Sequence, residues 1–88
     1  MVHAITYDLN KVGQNYEELY KRIQALGDAI HPLQNLWLLS CIRTADGVRK
    51  YLQEAIDSND SLFVAQMHRG EYSAWMSQSA HSWLDSKL

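Results

Sequence analysis

The 88-residue chain has the length of one domain, enough for a two-layer core and near the size at which a subunit interface often supplements that core. Hydrophobic residues make up 47% and charged ones 20%, which excludes disorder over any long segment. Eight basic against ten acidic residues give a formal charge of −2; phosphate contacts supply most of a strong nucleic-acid binder's affinity, and only a local basic patch is available here.

Val2 to Asn10 reads as a buried strand that carries one carboxylate, Asp8, to its exit, where Asn10 to Gln14 break it. Alternation places His3, Ile5, Tyr7 and Leu9 on one face and Val2, Ala4, Thr6 and Asp8 on the other. The first face is large and apolar, suited to helices. The second suits a partner, a ligand or water.

Asn15, with Glu18 at capping-box spacing, starts a helix over about 16–26, and Gly27 stands where a left-handed C-terminal residue is wanted. Tyr16, Leu19, Tyr20, Ile23 and Leu26 form its apolar stripe, opposite the i,i+4 pairs Glu17 with Lys21 and Glu18 with Arg22. Residues 28–32 and 36–42 read as two extended runs. Pro32 makes the first an edge strand or its end, because proline cannot donate a ladder hydrogen bond. The second is apolar on both faces, as a covered central strand would be.

Thr44 or Asp46 starts a second helix that directs Val48, Tyr51, Leu52, Ala55 and Ile56 to the core and stops near Asp57. Turn residues 58–61 then lead into a fourth strand over 62–67, closed by Arg69 and Gly70. The order is βαββαβ, a ferredoxin-like α+β arrangement: a four-stranded antiparallel sheet, first and third strands central, both helices on one face. The tail, 71–88, carries Tyr72, Trp75 and Met76 and then a short helix from about Ser79. It is too apolar to float freely, so it packs on the domain or across a dimer with Trp75 and Trp83 as anchors.

The single cysteine, Cys41, excludes an intrachain disulfide and suggests a buried thiol in a reducing compartment. With no signal-peptide pattern and no apolar run of spanning length, the expected location is the cytoplasm, without a membrane partner.

Asp8 has two readings, a metal ligand or catalytic group and a loop cap of the Asx type. The four histidines, His3, His31, His68 and His81, lack the close spacing of metal sites. His31 and His68 lie near strand ends, where a general base could titrate, yet no nucleophile stands beside them in sequence; a polar edge role is the simpler reading. For nucleic acid the available cations are Lys11, Arg43, Arg49, Lys50 and Arg69, with Tyr7 and Trp37 as stacking platforms. The diagnostic basic-Gly-aromatic run of RNA-binding sheets is missing, and Trp37 reads first as core or interface.

Taken in order, Ile5 to Lys11, Gly13-Gln14, Leu26-Gly27, His31, Trp37-Leu38, Trp75 and Trp83-Leu84 resemble a group of small bacterial and phage proteins labelled SinR-family. No helix-turn-helix is legible, since strands separate the helices. The group in turn resembles the CRISPR-associated endoribonuclease family with its relatives of virulence-associated protein D. That likeness rests on Tyr7-Asp8-Leu9 ending the first strand, the helix closing at Leu26-Gly27 and the run from Gln34 to Leu38.

The resemblance implies a ferredoxin-like homodimer in which Asp8 of each subunit binds a divalent metal, Mg²⁺ or Mn²⁺, between the subunits. The chain departs from the larger family in carrying Asn10, Lys11, Val12 and Gly13 where arginine and lysine are usual. It also has Leu36-Trp37-Leu38-Leu39 where a run containing an acid is usual. Two functions are therefore expected: a non-catalytic dimeric adaptor acting on protein or nucleic acid, favoured because the catalytic constellation is thin, or a metal-dependent endonuclease using Asp8.

Overall fold

Alternating apolar residues in the first strand and a two-faced apolar third strand require a sheet covered from both sides, and the chain supplies both covers. The structure, a computed structural model, describes residues 1–10 and 16–88. It is α+β, in the order β1 (Val2–Asp8), α1 (Glu17–Leu26), β2 (Asp28–Leu33), β3 (Leu36–Ser40), α2 (Ala45–Gln53), β4 (Ser61–Met67) and α3 (Gln78–Lys87). The four strands form one antiparallel sheet in the order β2-β3-β1-β4, so β1 and β3 are central, as their composition requires.

On the first face, Ile5 and Tyr7 of β1 and Trp37 and Leu39 of β3 meet Leu19 and Ile23 of α1 and Val48 and Leu52 of α2, all buried. Register explains the set: Ile5 stands opposite both Trp37 and Val64, so one row of the pleat feeds one core. Arg22 ties the two helices together, pairing with Glu18 at 3.3 Å and Glu54 at 3.2 Å and donating to the Tyr51 carbonyl oxygen at 3.1 Å.

Among the described residues, the second face is covered at one end only. Val2, Leu38 and Leu84 form a second buried cluster, with Ile30, Met67, Met76, Trp83 and Leu88 packed around it. The C-terminal segment thus packs on its own domain. The Ser77 hydroxyl accepts from the Ala80 amide at 3.3 Å to start α3, and Ala80 and Leu84, one turn apart, are its buried residues. Lys87 fastens the far end of α3 to Asp28 of β2 at 2.7 Å. Trp83 joins this contact, but Trp75 is 98% exposed and anchors nothing: it precedes the Ser77 cap and lies off the helix.

Other expectations are corrected locally. Gly27 is extended rather than left-handed; its absent side chain serves a close approach, since a Cβ there would collide with the Ser40 carbonyl oxygen. β3 ends at Ser40, so Cys41 is buried but Ile42 is 93% exposed. α2 ends at Gln53, short of Asp57, after starting as expected on the Thr44 hydroxyl, which accepts from the Gly47 amide at 3.1 Å. The expected Asn15 cap lies outside the described residues. Between β2 and β3 the turn keeps φ negative at Gln34 and Asn35, whereas the tightest hairpin turns favour positive φ there; a register shift between Ile30 and Leu33 accompanies it.

Leu84→Ala empties a fully buried site and is expected to cost about 2–4 kcal/mol in urea unfolding, while Trp75→Ala changes stability by no more than about 0.5 kcal/mol. The Lys87 ammonium first, and then the Trp83 indole beside it, hold the Asp28 carboxyl below the usual carboxylate range, although no acceptor meets full hydrogen-bond geometry at Trp83 Nε1. A carboxylate depressed on folding stabilises above its unfolded pKa, and that contribution disappears as pH falls through the folded value. The difference in urea midpoint between the parent and Asp28→Asn should therefore be present at pH 7 and close below about pH 4.

Candidate functional site

The coverage of the second sheet face defines the candidate site. Cross-strand register stacks its side chains in rows: Asp28, Ser40, Val2 and Met67 at one end, then Ile30, Leu38, Ala4 and Ala65, then Leu33, Leu36, Thr6 and Phe63, with Asp8 beside Ser61 at the far end. α3 lies over the first two rows. The third is open: Phe63 is 63% exposed and Leu33 49%. The segment before α3 crosses beside it and lines, with Leu33, Leu36 and Ala4, an apolar groove of about 350 Å³ over which Trp75 stands.

Asp8 lies at the edge of this open area, exposed, on a shallow groove of about 340 Å³ shared with Thr6, Ser61 and Phe63. Its position follows from the end of β1, and the chain beyond is held by a different carboxylate. Asp60 Oδ1 accepts from the Asn10 amide at 2.9 Å and Oδ2 from the Asp57 amide at 2.8 Å, while Asn10 Nδ2 donates to the Asn59 carbonyl oxygen. Any capping of the following loop by Asp8 falls on residues outside those described.

A hard divalent cation needs several oxygen ligands. Among the described residues no three His, Cys, Asp or Glu side chains gather, and Asp8 contributes one carboxylate to its groove. The donor set of the described residues in a single chain does not by itself fit a Mg²⁺ or Mn²⁺ centre.

The candidate nucleic-acid residues do not converge either. Arg49 and Lys50 both spend their charge on Asp46, at 2.9 and 3.1 Å, and together hold that carboxyl below its usual range. Arg49 borders a polar groove of about 380 Å³, but Asp57 and Asp60 line it too. Arg43 lies over the Tyr51 ring at 5.1 Å, as Arg22 does at 5.0 Å. Arg69 sits apart and caps α3, donating to the carbonyl oxygens of Leu88 at 3.2 Å and Asp85 at 3.4 Å. Lys11 is outside the described residues. Tyr7 and Trp37 are buried, so neither is a stacking platform.

Instead they belong to an aromatic cluster that sequence reasoning missed. The Trp37 ring stacks on His31 at 4.4 Å, Tyr20 meets both at 5.1–5.2 Å, and Tyr7 and Tyr16 lie about 6 Å from Tyr20. The Gln34 carbonyl oxygen accepts from His31 Nε2 at 3.0 Å and from the Tyr7 hydroxyl at 3.2 Å, and the same hydroxyl reaches Tyr20 Oη at 2.9 Å. Burial first, then the Tyr20 hydroxyl, push Tyr7 well above the ordinary phenol range. The Tyr16 and Tyr20 spacing was the available signal.

The remaining histidines are placed structurally. Fully buried His3 bonds through Nε2 to the Arg43 carbonyl oxygen at 2.7 Å, and His81 Nε2 accepts from the Met76 amide at 3.1 Å. His68 is exposed, and its carbonyl accepts from the Glu71 amide at 3.0 Å in the turn after β4.

The chain matches no model of a known protein family. No helix among the described residues is long and apolar enough to cross a membrane.

Because Asp60 joins the exit of β1 to the turn before β4, Asp60→Ala is expected to destabilise the chain by about 1–2 kcal/mol. Amide exchange should accelerate at Asn10 and Asp57 before the rest of the sheet, which hydrogen-exchange mass spectrometry can read.

Proposed function

We propose that this chain is a ferredoxin-like relative of the CRISPR-associated endoribonuclease group, acting in the cytoplasm as a homodimeric, non-catalytic adaptor. The observation that carries this reading is the open half of the second sheet face: an apolar surface of Leu33, Phe63 and Trp75 that the chain's own helices leave uncovered. Exposed apolar area of this kind marks a binding surface for another protein. The strand order β2-β3-β1-β4, with every neighbour antiparallel, supports the ferredoxin-like part, and the lone buried thiol of Cys41 supports a reducing compartment.

A protein partner fits better than nucleic acid, because Arg49 and Lys50 are already paired and Arg69 holds α3, which leaves no basic face among the described residues. The nuclease alternative has one supporting observation, since Asp8 is exposed beside the same open area. It requires a partner subunit to complete the ligand set.

Sedimentation at micromolar concentration is expected to give a dimer. Incubation with labelled RNA and DNA, in Mg²⁺, Mn²⁺ or chelator, should give no metal-dependent cleavage by the parent or by Asp8→Asn. Metal-dependent cleavage that disappears in Asp8→Asn would overturn the adaptor reading in favour of the nuclease.

A further inference from the structure

We infer that the second copy joins along the free edge of β4, antiparallel to its own counterpart, making one continuous eight-stranded sheet. This rests on the homodimer reading and assigns its contact. β4 is an edge strand of seven residues, Ser61 to Met67, paired with β1 in unbroken register from Val2 opposite Met67 to Asp8 opposite Ser61. Among the described residues, no backbone group outside β1 is hydrogen-bonded to it. The outward amides and carbonyls of alternate residues are therefore an open ladder.

Monomers guard such an edge with charge, proline or a bulge. The opposite edge has all three, since β2 carries Asp28, Pro32 and a register shift between Ile30 and Leu33. β4 has none: Ser-Leu-Phe-Val-Ala-Gln-Met holds neither a charged residue nor proline, and its pairing has no bulge.

The strand also suits itself. A two-fold axis through Val64, its central residue, sets Phe63 opposite Ala65 of the second copy, a large side chain beside a small one on the open face, and Leu62 opposite Gln66 on the face that carries the helices. Both Phe63 rings then lie on the diagonal within mutual reach, which accounts for an aromatic otherwise left 63% exposed. With no charge in the strand, self-pairing meets no repulsion.

The axis stands perpendicular to the sheet, so α1 and α2 of both copies share one side and both open apolar areas share the other. Strand spacing and rise put the two Asp8 positions roughly 25 Å apart, too far to share a metal.

The test is a cysteine at the axis. Facing residues of antiparallel strands have Cα atoms about 4.5–5.5 Å apart, within disulfide range. Val64→Cys, mildly oxidised, should run mostly as a covalent dimer on a non-reducing gel, while Trp75→Cys stays at the background of the parent, whose Cys41 is buried. As an independent readout, amide exchange across 61–67 in the unmodified protein should slow at least tenfold as concentration rises through dimerisation. A parent that sediments as a dimer, with exchange in 61–67 insensitive to concentration and Val64→Cys uncrosslinked, overturns the edge and leaves the homodimer standing. A parent that sediments as a monomer overturns both.

Discussion

Unequal coverage of one sheet is the constraint on which the rest of the structure depends. A four-stranded sheet with two helices on one face leaves the other wet, and a wet face cannot hold Val2 and Leu38. α3 removes them from water by setting Leu84 between them, but α3 is ten residues long and spans only part of the sheet. The uncovered remainder combines exposed Phe63 and Leu33 with the one carboxylate of β1 on that face. Fold and candidate site are thus one problem, the site being what the third helix fails to reach.

The elements were legible because each obeyed a local rule. β3 announced itself as central by being apolar on both faces, β2 as an edge by Pro32, and α2 by the Thr44 cap ahead of Val48 and Leu52. Tertiary choices were not legible. Trp75 and Trp83 are the same residue eight positions apart, and only the start of α3 at Ser77 decides that one packs and the other does not. Gly27 looked like a helix terminator, but its requirement comes from the Ser40 carbonyl of a strand thirteen residues later.

The candidate site divides in the same way. That Arg49 and Lys50 are balanced by Asp46 follows from i,i+3 and i,i+4 spacing and was there to be read. That Arg69 holds the carbonyl end of α3 was not, because the two are brought together only once the tail folds back. Tyr7 illustrates a shared position with divided meaning. Beside Asp8 in sequence it suggested a family, yet in space its hydroxyl turns inward to Tyr20 and Gln34 while Asp8 turns outward.

The middle of the sheet is assembled from the two ends of the chain. β1 pairs with β4, Val2 lying beside Met67, and Leu84 then closes over Val2. A chain emerging from the ribosome with its N-terminus first presents β1 long before the strand and helix that bury it exist. Val2 must wait for closure of a loop spanning most of the described residues, a non-local step of the kind that slows folding relative to a helical bundle of the same length. The second face is therefore completed only once α3 has emerged, and a nascent chain stalled before α3 would display the Val2 and Leu38 side of its central strands to whatever chaperone or neighbour is near.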